Sequence, residues 1–250
     1  MRTIAFCNQK GGTGKTTSVV NIGFGLGLLG CRVLVIDLDP QANLTFSAGI
    51  GSPDPSKTIY QLLVEQASVT DAVIPHGPVH LIAGSPQLSA LEKVYSQDNR
   101  GPRLLKKALR KILNDYDFIL LDCPPSSGLI SQNALVAASE IFVPVQAEYL
   151  ALQGMSQLLQ TVEETRKDYN PGLKLTGIIA TRFDRRRVLN REVIEKLQSH
   201  FGSLLFKTII RENISLAEAP SFGQHIFTYR PDSSGAKDYQ QLCKEIMGRG

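Results

Sequence analysis

Residues 8–17 read Asn8-Gln9-Lys10-Gly11-Gly12-Thr13-Gly14-Lys15-Thr16-Thr17, and they constrain the fold more than any other stretch. An apolar run, Thr3–Cys7, precedes them, and a helix-like stretch, Thr16–Leu29, follows. A glycine-rich loop therefore joins a strand to a helix. Such a loop turns its backbone N–H groups inward at the positive end of a helix and forms a phosphate cradle. Within this P-loop pattern Lys15 reaches the β- and γ-phosphates, and the Thr16 hydroxyl coordinates Mg²⁺. Two features depart from the ordinary pattern: Gln9 stands where glycine is usual, and Lys10 is an additional lysine.

Strand-like and helix-like runs alternate along the rest of the chain. Strands are expected at Thr3–Asn8, Arg32–Asp37, Val79–Ala83, Phe118–Asp122, Glu140–Val145, Leu175–Ala180 and Leu204–Thr208. Several are nearly unbroken runs of Ile, Val and Leu, as strands buried on both faces of a parallel sheet must be. Periodic helical segments fall at Thr16–Leu29, Pro102–Asn114, Gln153–Asp168 and Val188–His200. The pattern implies an α/β fold, a doubly wound and mostly parallel sheet with helices on both faces. Its ligand should sit beyond the carboxyl ends of the strands, where the phosphate loop falls. No repeat or linker interrupts it, residues 51–58 read as a surface loop, and one phosphate-loop domain over residues 1–250 is expected. Gly25-Leu26-Gly27-Leu28-Leu29-Gly30 mimics a dinucleotide fingerprint, but it ends a helix where the true motif follows a strand. Its glycines are better read as close-packing positions, each costing up to about 1 kcal/mol of helix propensity, with Gly30 as the C-cap.

A hydrophobic fraction of 42% and a charged fraction of 20% are ordinary for a globular protein. No apolar run approaches the roughly 20 residues that span a bilayer, and no signal-peptide pattern opens the chain; a cytoplasmic protein is expected. Cys7, Cys31, Cys123 and Cys243 are scattered, with neither zinc nor disulfide spacing. Cys7 and Cys123 end strand-like runs and read as small buried hydrophobes. The net charge is +4, unevenly placed. Arg182–Arg211 holds eight basic residues against three acids, and Arg100–Lys111 holds six against none, which leaves −7 for the remainder. Two basic segments on an acidic body are the footprint of a polyanion-binding protein.

Three carboxylates end strands beside the loop. Val33-Leu34-Val35-Ile36-Asp37-Leu38-Asp39 closes one run, and Phe118-Ile119-Leu120-Leu121-Asp122 closes another. Asp122 has the form of a Walker B aspartate, held near Mg²⁺. Asp37 can support the metal or cap the following turn.

Lys10-Gly11-Gly12-Thr13-Gly14-Lys15-Thr16 resembles the deviant Walker A loop of the ParA/MinD group of ATPases. The resemblance continues through Asp39-Pro40-Gln41, Asp122-Cys123-Pro124-Pro125, Glu218-Ala219-Pro220-Ser221 and Tyr229-Arg230-Pro231-Asp232, so it covers nearly the whole chain. It is nearest to the small partition ATPases without an N-terminal helix-turn-helix. It implies ATP and Mg²⁺ as cofactors, and a homodimer when ATP is bound. Lys10 then crosses the dimer interface to the partner's phosphates, and Asp39 positions the attacking water. Thr16, Asp37 and Asp122 serve the metal, the carboxylates through water. The phosphates are held by Gly11, Gly12, Thr13, Gly14, Lys15, Thr16 and Thr17, while Thr181 and Pro220 border the adenine.

The same resemblance implies binding to nonspecific DNA, weak intrinsic hydrolysis stimulated by a ParB-like protein, and a nucleoid-associated location. Arg185, Arg186, Arg187, Arg191, Lys207 and Arg211 are the expected DNA contacts, acting by phosphate neutralisation. Two positions depart from the family's pattern: Ser215 replaces a common arginine, and Glu212 replaces what is often basic. The same switch could carry a chromosome, a plasmid or a protein cargo. A MinD-like membrane cycle would need an amphipathic C-terminal helix, whereas Tyr239–Met247 reads as a closing helix with few cations. An iron–sulfur reductase on the same fold needs two cysteines per subunit at the dimer axis, and Cys123 has no second cysteine placed for that.

Overall fold

The computed structural model describes residues 1–95, 98, 100–148 and 151–249. Its sheet has seven strands: β1 (Arg2–Phe6), β2 (Val33–Asp37), β3 (Val73–His76), β4 (Val79–Ile82), β5 (Phe118–Asp122), β6 (Glu140–Gln146) and β7 (Lys174–Thr181). They run in the order β3-β4-β2-β5-β1-β6-β7, and every neighbouring pair is parallel except β3 with β4. The central strands β2 and β5 are buried at every residue, as their unbroken apolar runs require.

The longer helices are α1 (Lys15–Leu28), α2 (Leu129–Ala137), α3 (Ala151–Asp168), α4 (Val188–Phe201) and α5 (Ser234–Gly248). Two apolar layers result. One, including Leu34, Ile36, Leu121, Val143 and Leu197, lies under α2, α3 and α4. The other, including Ile4, Phe6, Val35, Phe142 and Leu242, lies under α1 and α5. Helices therefore cover both faces, as the sequence implied.

Close packing explains the glycines of α1. A Cβ on Gly25 would stand 2.6 Å from Cys243 Sγ of α5, and one on Gly27 would stand 2.5 Å from the carbonyl oxygen of Pro78. The helix then stops at Gly30, whose φ of +87° lets Cys31 N–H reach back to the Leu26 carbonyl at 3.1 Å. The apolar face of α5, Tyr239, Leu242, Cys243 and Ile246, is buried against this same layer. Among the described residues no helix is long and apolar enough to cross a membrane.

Two expectations about strands change. β3 was not anticipated, because Val73-Ile74-Pro75-His76 is short and carries a proline; as an edge strand it tolerates the missing donor. The expected strand at Leu204–Thr208 does not form. Phe206 and Ile210 donate to Ile178 and Ala180 of β7. Between them, the N–H groups of Lys207 and Thr208 turn to the Glu245 carboxylate at 2.8 and 3.0 Å. A carboxylate from α5 thus intercepts the ladder.

Candidate nucleotide site

β1 delivers the loop at residues 8–14 to the carboxyl edge of the sheet, and α1 begins at Lys15. Asn8 anchors its entrance: Nδ2 donates to the Pro144 carbonyl at 2.8 Å, and Oδ1 accepts from Lys10 N–H at 3.0 Å. Thr181, at the end of β7, clamps its crown by donating to the Thr13 carbonyl at 2.8 Å. Gly14 has a φ of +85° at the start of α1, a conformation that favours glycine. A Cβ on Gly11 or Gly12 would meet nothing within 4 Å, so the loop faces open space. That space is a cavity of about 570 Å³, lined by residues that include Gly11, Gly12, Gly14, Lys15, Thr16, Thr17, Asp39 and Thr181. Arg182, Arg211, Glu212, Asn213 and Ile214 belong to the same lining.

The strand-end carboxylates divide their work. Thr16 Oγ1 donates to Asp122 Oδ2 at 2.8 Å, while Asp122 Oδ1 is buried without a hydrogen-bond partner among the described residues. Complete burial and the neighbouring Asp37 charge push the Asp122 carboxyl well above the usual carboxylate range, and the Thr16 hydrogen bond and Lys15 oppose them. Asp37 accepts from Asp39 N–H at 3.1 Å and from Thr45 N–H and Oγ1 at 2.9 and 2.7 Å. Burial still raises it from 3.8 to about 6. Asp37 thus acts mainly as the holder of the next loop, and it places Asp39 on the cavity wall. Burial also lowers Lys15 from the ordinary lysine range, with Asp122 the largest opposing influence; its Nζ lies 3.3 Å from the Lys10 carbonyl. Behind the loop, the sulfurs of Cys7 and Cys123 touch at 3.3 Å, both buried.

The residues present fit a nucleotide and a hard cation. Open-faced glycines, an ammonium, a hydroxyl and an unpartnered carboxylate oxygen converge at a helix N-terminus. Lys10, at the rim, pairs with Glu148 at 2.7 Å. Pro220 lies in the turn Ala219–Phe222, and the cavity does not include it. The cavity lining also includes Asn213, Ile214, Leu216 and Ala217. Sequence reading missed Asn8, Thr45, Glu148 and Arg182, whose roles come from contacts made across the fold and leave no local motif.

The expected DNA contacts separate into two sets. Arg185, Arg191 and Lys207 are exposed, and no ion pair reaches them among the described residues. Arg186 pairs with Asp184 at 3.0 Å, and Arg187 lies between Asp184 and Glu212, 3.6 Å from each. Arg211 belongs to the cavity: it forks onto Asp238 of α5 at 2.6–3.1 Å.

The family model described as an AAA domain matches residues 1–175. The chromosome-partitioning ATPase Soj of Treponema pallidum is 42% identical over 99% of this chain and 98% of its own. Among solved structures, cobyrinic acid a,c-diamide synthase of Mycobacterium smegmatis with bound ADP and magnesium superposes with a TM-score of 0.85 and 31% identity, over 99% of this chain and 94% of that one. The cell division ATPase MinD of Pyrococcus furiosus gives 0.82 at 28% identity, over 100% and 99%. With its lysine-bearing glycine loop and full-length likeness to Soj, the chain belongs to the ParA/Soj partition ATPases of the ParA/MinD family.

Proposed function

We propose that this chain is a Mg²⁺-dependent ATPase that acts as an ATP-switched homodimer, binds DNA without sequence preference, and so segregates or positions DNA. The observation that carries the reading is an open glycine cradle whose cavity is lined by Lys15 and Thr16, with the fully buried Asp122 hydrogen-bonded to the Thr16 hydroxyl. Relatives with the same fold are described with ADP and magnesium bound, which supports both cofactors.

Lys15 and the loop amides hold the phosphates, and Thr16 with Asp122 holds the metal, Asp37 adding charge from behind. Mg²⁺, when bound, neutralises charge on the phosphate oxygens. Asp39, fixed on the cavity wall by its hydrogen bond from Gln41 N–H at 2.9 Å, positions the water. Lys10 leaves Glu148 to reach the partner's phosphates. Thr181 holds the loop crown, and the adenine rests against the Asn213–Ala217 wall. Dimerisation doubles the basic surface, so binding to DNA steepens with salt. Hydrolysis, stimulated by a ParB-like protein, releases dimer and DNA together and returns the protein to the cytoplasm from the nucleoid.

The test is binding to a random-sequence duplex with ADP, with ATP, and with ATP on Asp39→Ala, over a salt series. Tight, salt-steep binding with ATP, persisting in Asp39→Ala while hydrolysis stops, is expected. Equal binding in all nucleotide states, or none in any, overturns the DNA switch. Normal hydrolysis by Asp39→Ala overturns the role of Asp39.

A further inference from the structure

Glu212 stands between the nucleotide cavity and the arginine face. Its N–H donates to the Phe183 carbonyl at 3.0 Å, and Phe183 bridges Arg211, so residues 211–213 run alongside 181–184. Both Arg182 and Glu212 line the cavity. Glu212 Oε1 lies 3.8 Å from Arg182 Nη2, and its Oε2 lies 3.6 Å from Arg187 Nη2. Arg187 shares Asp184 with Arg186. Two carboxylates therefore neutralise much of the charge of three arginines. Arg182 has a φ of +52°, a strained backbone for a residue with a side chain. It is kept there by flanking ties, Thr181 to Thr13 and Phe183 N–H to the Ile210 carbonyl at 3.1 Å.

We propose that Glu212 is a charge gate between the two regions: it holds Arg187 and Arg182 in the nucleotide-free protomer, and a nucleotide in the cavity it lines frees Arg187 for a DNA phosphate. The inference rests on the DNA-binding reading above and adds the regulation of that face. Half-exposed pairs at 3.6–3.8 Å contribute little to stability, which suits a contact meant to be exchanged. An anionic nucleotide attracts Arg182 and repels Glu212 across the same wall. Charge withheld from DNA in the resting state is then supplied on binding.

The test compares wild type, Glu212→Gln and the double variant Glu212→Gln/Arg187→Ala on a random-sequence duplex, without nucleotide, with ADP and with ATP, over a salt series. Without nucleotide, Glu212→Gln should bind several-fold more tightly than wild type, with a log–log salt slope steeper by about 0.9, one phosphate contact. The gain should vanish in the double variant, and with ATP the Glu212→Gln and wild-type curves should converge. If wild type binds DNA only with ATP but Glu212→Gln matches it in every state, the gate is wrong and the DNA reading stands. A gain that survives in the double variant also overturns the gate, because the released charge is then not that of Arg187. Failure of wild type to bind DNA with ATP overturns both.

Discussion

The phosphate-loop end of the sheet and the arginine face beside β7 are both dense in charge, yet they are built in opposite ways. At the loop, side chains from β1, β2, β5 and β7 are buried and tied to one another: Asn8 to Pro144, Thr181 to Thr13, Thr16 to Asp122, Asp37 to Thr45. On the arginine face the side chains are exposed, and the acids that answer them, Asp184 and Glu212, lie on adjoining loops. Burial makes these contacts costly to remove, because an abandoned polar group keeps its desolvation penalty. Exposure makes each arginine contact weak and replaceable. Fixed contacts belong to the first region and exchangeable ones to the second.

The sharpest way to break that contrast is Lys15→Ala. Lys15 is buried and lies within the influence of Asp122 and Asp39. Removing it takes away the cation that faces the phosphates and leaves those carboxylates unbalanced. A loss of about 3 kcal/mol or more, on the order of a hundredfold in nucleotide affinity, is expected by calorimetric titration with ATP and Mg²⁺. A change of only a few-fold would mean that the loop amides suffice and that the loop end is as tolerant as the arginine face.

The second effect is on stability and follows from Asp37. Its carboxyl is raised by burial from 3.8 to about 6, so the folded chain holds that proton more tightly than the unfolded chain does. The contribution is complete below pH 3.8 and is lost as the pH rises through about 6. It is worth about 3 kcal/mol. Denaturant unfolding of metal-free protein between pH 4 and 7 should therefore show wild type losing stability relative to Asp37→Asn as the pH rises. The lowered carboxyls Asp117 and Asp184, both at about 2, complete their opposite contribution below this window. Parallel curves for the two proteins would show that Asp37 ionises normally and that the loop end is less dry than its burial implies.

The same contrast separates what could be read in the sequence from what could not. The order Gly11, Gly12, Gly14, Lys15, Thr16 carries its own geometry, because the loop is contiguous and its backbone alone forms the cradle. The apolar runs ending at Asp37 and Asp122 located both carboxylates, since a strand buried on both faces must deliver its last residue to the sheet edge. Their different roles stayed hidden: the Asp37 partner, Thr45, comes from the short helix Asn43–Ser47 beyond β2, and the orphan oxygen of Asp122 exists only once β1, β2 and β5 stand side by side. On the arginine face the cluster at residues 185–191 was visible as charge, but the pairing was not. Arg211 looked like one more surface cation until α5 brought Asp238 to it. Leu204–Thr208 had the composition of a strand, and only the arrival of Glu245 diverts it.

The smallest effects should grade the arginines themselves. Arg185 and Arg191 carry no ion pair among the described residues, whereas Arg186 is held in a fork by Asp184. A free guanidinium contributes its whole charge to a phosphate; a forked one must first leave its carboxylate. With ATP present, Arg185→Ala and Arg191→Ala should each lower DNA affinity several-fold and flatten the log–log salt slope by about 0.9. Arg186→Ala should do less in both respects, and by lifting one competitor from Asp184 it should draw Arg187 further from use. The measurement is a salt series on one random-sequence duplex for the three variants. Equal losses for all three would mean that DNA strips Asp184 of its partners without cost, and that the carboxylates of this face set only its resting charge. The graded result would instead mean that pairing within the free protein tunes how tightly each protomer attaches, while the loop end decides when.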